Sequence, residues 1–161
     1  MKLIYNRVKE NIFNEEVVID AYSGAGLMSA LVAQKAKSVY GVEIVEDATK
    51  NANILKVNNK INNLFNINGD ASIEIPKLLS EIKKIDTIIL DPPRKGVDAK
   101  LLETLLCVKP QKIIYVSCNP ATLARDLKVL SSGYEIKEIQ GYDMFPQTSH
   151  VETFVLLIKR V

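Results

Sequence analysis

The 161-residue chain fits one domain and can bury about two thirds of the surface its unfolded form exposes, so it needs no staples. Lysine and arginine outnumber aspartate and glutamate by only 21 to 19, which excludes binding of nucleic acid by bulk charge and makes any RNA contact local. Two cysteines, Cys107 and Cys118, outside any Cys-x-x-Cys or Cys/His spacing argue against a disulfide framework and against a metal site. Charge enters too early in Met1 to Arg7 for a signal peptide, and no apolar run reaches membrane-spanning length. The expectation is a soluble, cytoplasmic monomer with no membrane or protein partner.

Apolar runs then alternate with helical patterns. Val17 to Ile19 precedes a helix with Leu27, Ala30 and Leu31 on one side. Val39 to Val42 precedes one carrying Val45, Ala48, Ala52 and Leu55. Leu64 to Ile67 leads to a short helix over 71–79, and Ile85 to Leu90 leads to one bearing Leu101, Leu102, Leu105 and Leu106, in which Cys107 reads as a small buried hydrophobe. Ile113 to Val116 leads to a helix with Leu123, Leu127 and Leu130. Five strand-helix repeats imply a parallel sheet covered on both faces. The tail, Tyr134 to Ile139 and Val151 to Ile158, reads as a closing antiparallel hairpin. The fold class is therefore α/β, a doubly wound, mostly parallel seven-stranded sheet in one domain over 1–161, with ligands at the carboxyl ends of its strands.

Those strand ends carry the chemistry. Asp20-Ala21-Tyr22-Ser23-Gly24-Ala25-Gly26 runs into a helix, and its glycines allow a tight turn and close approach to a ligand. Glu43 ends the second strand, 17 positions beyond Gly26, where a carboxylate can accept from both hydroxyls of a ribose. Ser29 replaces the third glycine of a dinucleotide fingerprint, which counts against NAD and leaves S-adenosylmethionine open; an ordinary βα turn is the plain alternative. Asp70 is either an adenine contact or a helix N-cap. The fourth strand ends in Asp91-Pro92-Pro93-Arg94-Lys95-Gly96, where two prolines hold the chain extended and Asp91 points a carboxylate into the cleft. Cys118 lies at a strand-to-helix switch with Asn119 as N-cap and Pro120 at the first helical position, a setting where a thiol can serve as a nucleophile; the alternative is a small residue at a tight turn. Glu152 opens the last strand, at the end of the sheet where it can accept a proton beside Cys118, or it is a solvated carboxylate. His150, the only histidine, is a loop residue or an orienting partner of Glu152, the loop reading being favoured. The basic positions Arg94, Lys95 and Lys100, then Lys109 and Lys112, then Arg125 and Lys128, are a solvated face or ligand contacts.

Three motifs in order, Asp91 to Gly96, Ser117 to Asp126, and Asp143-Met144-Phe145-Pro146 through Glu152, resemble the catalytic domain of the S-adenosylmethionine-dependent RNA uracil-5-methyltransferases over nearly the whole chain. The resemblance implies the Rossmann-like class I methyltransferase fold, with S-adenosylmethionine held by Tyr22, Gly24, Gly26, Glu43, Asp70 and Asp91. It also implies Cys118 as nucleophile and Glu152 as base. Asp91 would hold the methionyl amine or the uracil edge, and Arg94 would stabilise charge on a uracil carbonyl. The variants at 121–126 and 143–146 are more similar to the 23S ribosomal RNA branch than to the transfer RNA branch. Family members also carry an N-terminal RNA-binding barrel and a central segment, so the expectation is the catalytic domain alone, with weak RNA binding.

Other readings fit less well. The fourth-strand motif has no cysteine, unlike RNA cytosine-5 enzymes, and Asp91 with Arg94 departs from the Asn-Pro-Pro-aromatic motif of amino-methylating enzymes. Ser29 and the double proline speak against a nicotinamide oxidoreductase. A non-catalytic remnant would not need both Cys118 and Glu152.

Overall fold

The computed structural model describes residues 2–143 and 151–161. In chain order the elements are α1 (Lys2–Glu10), β1 (Val17–Ala21), α2 (Leu27–Ala33), β2 (Ser38–Glu43), α3 (Glu46–Asn58), β3 (Leu64–Asn68) and α4 (Ala71–Glu81). Then come β4 (Thr87–Leu90), α5 (Ala99–Val108), β5 (Lys112–Ser117), α6 (Pro120–Leu130), β6 (Tyr134–Tyr142) and β7 (Glu152–Lys159). The strands form one sheet in the order β3-β2-β1-β4-β5-β7-β6. The first five are parallel, and β7 enters antiparallel between β5 and β6.

Because both faces of the central strands are covered, their side chains alternate between two cores. Val18, Ile89, Ile114, Val116 and Phe154 pack with Ile4 and Val8 of α1 and Met28 and Val32 of α2. Ile19, Ile88, Ile113 and Tyr115 pack on the other face with Ile75, Leu101, Leu105 and Leu127 of α4, α5 and α6. Truncating a fully buried member such as Ile114 to alanine removes these contacts and leaves a cavity, at about 2–5 kcal/mol.

Helix α1 is an element that the sequence reading does not anticipate. Ile4, Val8 and Ile12 recur every four residues and are buried, while the charges between them line its outer side. Arg7 fastens it to the far edge of the sheet by a bidentate pair with Glu138 of β6 and lies over the Phe154 ring. In α2 the buried positions are Met28, Ser29, Val32 and Ala33 rather than Leu27, Ala30 and Leu31, and Leu27 is exposed. Cys107 is also exposed, on the outer side of α5, so it is not the buried hydrophobe expected.

Candidate functional site

The turn after β1 requires left-handed backbone at Tyr22, Gly24 and Gly26. At Gly26 a β-carbon would stand 2.8 Å from that of Ala52 in α3, whereas at Gly24 it would meet only open space. Glu43, at the end of the neighbouring strand, holds this turn: its carboxylate accepts from the Gly24 N–H and from the Val45 N–H, both at 2.8 Å. The expected ribose-binding carboxylate is thus also the brace of the glycine turn. Ser29, which stands where a dinucleotide fingerprint has glycine, is buried and donates to the Asp20 carboxylate.

Two cavities meet along this edge. The larger, 410 Å³, is lined by Tyr22, Glu43, Ile44, Val45, Asp70, Asp91, Pro93 and Lys95, among others. The smaller, 140 Å³, is lined by Tyr5, Asp20, Tyr22, Ser23, Gly24, Ala25, Leu27, Met28 and Asp91. Tyr22 and Asp91 border both. Burial raises the Tyr22 phenol to about 12, so it stays protonated near neutral pH. Asp70 takes the N-cap position of α4, accepting from the Ser72 N–H and hydroxyl at 2.7 Å, and those bonds hold its carboxyl below the usual range. It caps the helix and lines the larger cavity as well.

The turn carrying Cys118 is tied to the double-proline turn. Asn119 caps α6 by accepting from the Ala121 N–H at 3.0 Å. Its amide and the Thr122 hydroxyl both donate to the Arg94 carbonyl, at 3.0 and 3.1 Å. One turn further on, buried Asp126 accepts from the Val97 N–H at 2.8 Å and from the Tyr115 hydroxyl at 2.7 Å, and it pairs with Arg125. Arg125 in turn donates to the Lys95 carbonyl at 3.0 Å. Gly96, at φ 81°, admits this cluster, since a β-carbon there would lie 2.5 Å from the Arg125 guanidinium. Asn119, Thr122, Arg125 and Asp126 therefore hold two catalytic-edge loops in one register. Asp126 was not singled out in the sequence, although an aspartate between Leu123 and Leu127 on a buried stripe signals a satisfied interior charge.

Strand alternation brings the remaining residues together. Val18, Ile89, Val116 and Phe154 face α1 and α2. Two residues on from the first three, and two back from Phe154, stand Asp20 in β1, Asp91 just after β4, Cys118 just after β5 and Glu152 at the start of β7, four neighbouring strands. The last registered pairs of β5 with β7 are Val116 with Phe154 and Ser117 with Thr153, and Cys118 and Glu152 come next along the two segments. Burial raises the Asp91 carboxyl to about 6, with the Glu152 charge adding to it. Asp20, 1% exposed, is raised to about 7 by burial, against the Ser29 hydrogen bond, with Asp91 and Glu43 adding. Cys118 and Glu152 are half-buried and do not line either cavity, and the Glu152 charge reaches Asp91, which lines both.

Other expected positions fall away from this line. The Arg94 side chain is exposed and only its carbonyl is engaged. Lys112 is buried at the opposite end of the sheet against Glu16, so it is no ligand contact. His150 and residues 144–149 of the third motif lie outside the described residues. Among the described residues no cluster of three potential metal ligands occurs, and no helix is long and apolar enough to cross a membrane.

Residues 5–160 match the family described as tRNA (Uracil-5-)-methyltransferase. The chain belongs to this family. It is 51% identical over 97% of its length to an uncharacterized RNA methyltransferase of Bacillus cereus (strain ATCC 10987 / NRS 248), and 46% identical over 99% to one of Enterococcus faecalis. It spans only 35% and 36% of those relatives. Among solved structures, the Pyrococcus abyssi tRNA (uracil-54, C5)-methyltransferase in complex with S-adenosyl-L-homocysteine superposes with a TM-score of 0.83 at 35% identity, covering 97% of this chain and 37% of that one. A Streptococcus thermophilus rRNA methylase superposes with a TM-score of 0.75 at 17% identity, over 99% and 95% of the two chains, and shares the fold alone.

Proposed function

We propose that this family member transfers a methyl group from S-adenosylmethionine to C5 of a uridine in RNA. The observation that carries the reading is the row of Asp20, Asp91, Cys118 and Glu152 on one face of four adjacent strand ends, beside a two-lobed cleft. The cleft's donor set fits the cofactor. Glu43 has lone pairs left for two hydroxyls, the open space at Gly24 admits a ligand against the backbone, and the carboxyls of buried Asp20 and half-buried Asp91 suit a cationic amino group. Tyr22 supplies a ring between the lobes, and Asp70 stands where an adenine amine can donate to it.

Uracil C5 is too weak a nucleophile to accept a methyl group unaided. The Cys118 thiolate adds to C6 and pushes an electron pair towards the C4 carbonyl, so that C5 becomes electron-rich. The bound cofactor supplies an electrophilic methyl group on a sulfonium. Glu152, at the start of the strand beside β5, then removes the C5 proton. The electron pair released expels the Cys118 sulfur and restores the ring. Arg94, whose exposed side chain leaves the loop held by Asn119 and Thr122, would steady charge on a uracil carbonyl if RNA brings the base to it. A base inside a helix cannot reach this edge, so the uridine is looped or flipped out.

For the RNA, the motif variants at 121–126 and 143–146 favour 23S ribosomal RNA. Transfer RNA is the second reading, favoured by the 35% identity to the Pyrococcus abyssi transfer RNA enzyme. The chemistry is tested by incubating the chain with S-adenosylmethionine and 5-fluorouridine RNA, because fluorine at C5 blocks elimination. A denaturant-stable protein–RNA adduct that needs cofactor and is lost in Cys118→Ala supports the reading, and failure on both transcripts, also with a relative's N-terminal segment joined to the chain, overturns it. Comparing 23S and transfer RNA transcripts in the same trap separates the two substrates.

A further inference from the structure

We infer that Tyr5 is a cofactor-binding residue whose hydroxyl donates to the carboxylate at the amino-acid end of the bound cofactor. The inference rests on the reading of the cleft above and deepens it. The smaller lobe is rich in acceptors and poor in donors. Asp20 and Asp91 supply carboxyls for an ammonium group, but an amino acid also brings a carboxylate, which needs donors of its own.

The glycine turn offers few. The Ser23 N–H donates to the Val42 carbonyl at 3.0 Å, the Gly24 N–H to Glu43 and the Gly26 N–H to the Ser23 carbonyl at 2.9 Å. The Ser23 hydroxyl is turned towards Gly41, whose β-carbon would lie 3.1 Å from it. What remains at the lobe wall is the Ala25 N–H, the N–H groups of Leu27 and Met28 at the start of α2, and one side-chain donor, the Tyr5 hydroxyl. The latter has no hydrogen bond to any described residue, and burial followed by the charges of Asp91, Asp20 and Glu152 keeps it protonated. A neutral donor suits a wall already crowded with carboxylates, because it binds an anion without ion-pairing with Asp20 or Asp91.

Helix α1 holds Tyr5 in place. Ile4 and Val8 are buried on either side of it, Arg7 is locked to Glu138, and the Asn11 carbonyl just beyond the helix accepts from Lys112. The ring is therefore presented to the lobe from a fixed helix.

Calorimetric titration of the full chain tests this with two ligands, S-adenosylhomocysteine and its decarboxylated analogue, which lacks only the carboxylate. Tyr5→Phe keeps the ring and removes one oxygen. It is expected to weaken S-adenosylhomocysteine about 10-fold or more, as for loss of a hydrogen bond to a charged group, and to leave the analogue unchanged within about twofold. An equal loss for both ligands, or no loss for either, overturns the inference while the cofactor reading stands. Wild-type chain that binds neither ligand overturns both.

Discussion

Strands β1, β4 and β5 carry charged groups at both ends, and the two ends treat them oppositely. At the amino edge Glu16 precedes β1, Asp86 precedes β4 and Lys112 opens β5. Lys112 is bonded to Glu16 at 2.8 Å and to the Asn11 carbonyl, and Glu16 also accepts from Thr87. Burial would raise Asp86, but Lys84 at 2.6 Å and the Val17 N–H outweigh it, and its carboxyl lies below the usual range. At the carboxyl edge Asp20 stands one residue before the end of β1 and Asp91 and Cys118 just beyond β4 and β5, and the two carboxyls are raised. Neutralised charge closes one edge, and charge left without a cation opens the other to a cationic ligand.

The largest effects belong to the open edge. Cys118→Ala should lower the turnover rate by at least about 10⁴-fold, because no other group can make C5 nucleophilic, and the rate with tritiated cofactor measures it. Glu152→Gln should lower turnover by about 10²–10⁴-fold and allow the covalent adduct to build up on ordinary uridine RNA, since methylation precedes its step. A Glu152→Gln chain with normal turnover would remove it as the base. At the closed edge, Lys112→Ala leaves the half-buried Glu16 carboxylate without its cation and should cost about 3 kcal/mol in urea unfolding, with no change in affinity for S-adenosylhomocysteine. Replacing both partners by apolar residues should recover most of that loss.

The open edge can also be read through pH. Asp20 and Asp91 titrate near 7 and 6 in the folded chain, above the value of about 3.9 expected of an unfolded aspartate. The folded state therefore binds more protons between these values. The associated stability is fully present below pH 4 and is lost as pH rises through 6 and 7, which runs against the lowered carboxyls of Asp86 and Asp70, whose stability is lost in acid. Between pH 5 and pH 8 the free chain should lose on the order of 4 kcal/mol, and Asp20→Asn should flatten more than half of that slope. Cofactor affinity should rise over the same interval, as the carboxyls ionise to meet an ammonium.

Much of this edge is legible in the sequence because a strand has period two. Once Val18, Ile89, Val116 and Phe154 are read as one buried face, Asp20, Asp91, Cys118 and Glu152 follow on that face by counting. What counting does not give is partnership. Glu43 was legible as a ligand carboxylate, but its bonds to Gly24 and Val45 depend on how the two turns approach. Ser29 read as a missing glycine because its partner Asp20 lies across the helix–sheet interface. Tyr5 went unread because α1 is recognisable only from Ile4, Val8 and Ile12 among charges, and its place in the lobe depends on a helix docking onto distant strands. Cys107 failed for the converse reason: it neighbours apolar residues in sequence but falls on the outer side of α5.

The smallest expected effect tests whether the two loops of the open edge act as one. Thr122→Val keeps the shape of the side chain and removes its bond to the Arg94 carbonyl, while Asn119 still caps α6 and still reaches the same carbonyl. The cost to unfolding should be only about 0.5–1.5 kcal/mol, the range for one partly exposed hydrogen bond. The Cys118 turn and the Asp91 turn would then drift relative to each other, and the near-attack geometry of thiol and pyrimidine is sensitive to such shifts. Adduct formation with 5-fluorouridine RNA should therefore slow by more than the stability change, scaled to the fraction folded, accounts for. If the rate instead tracks the folded fraction, the tie is structural and the two turns are set independently by their own strands.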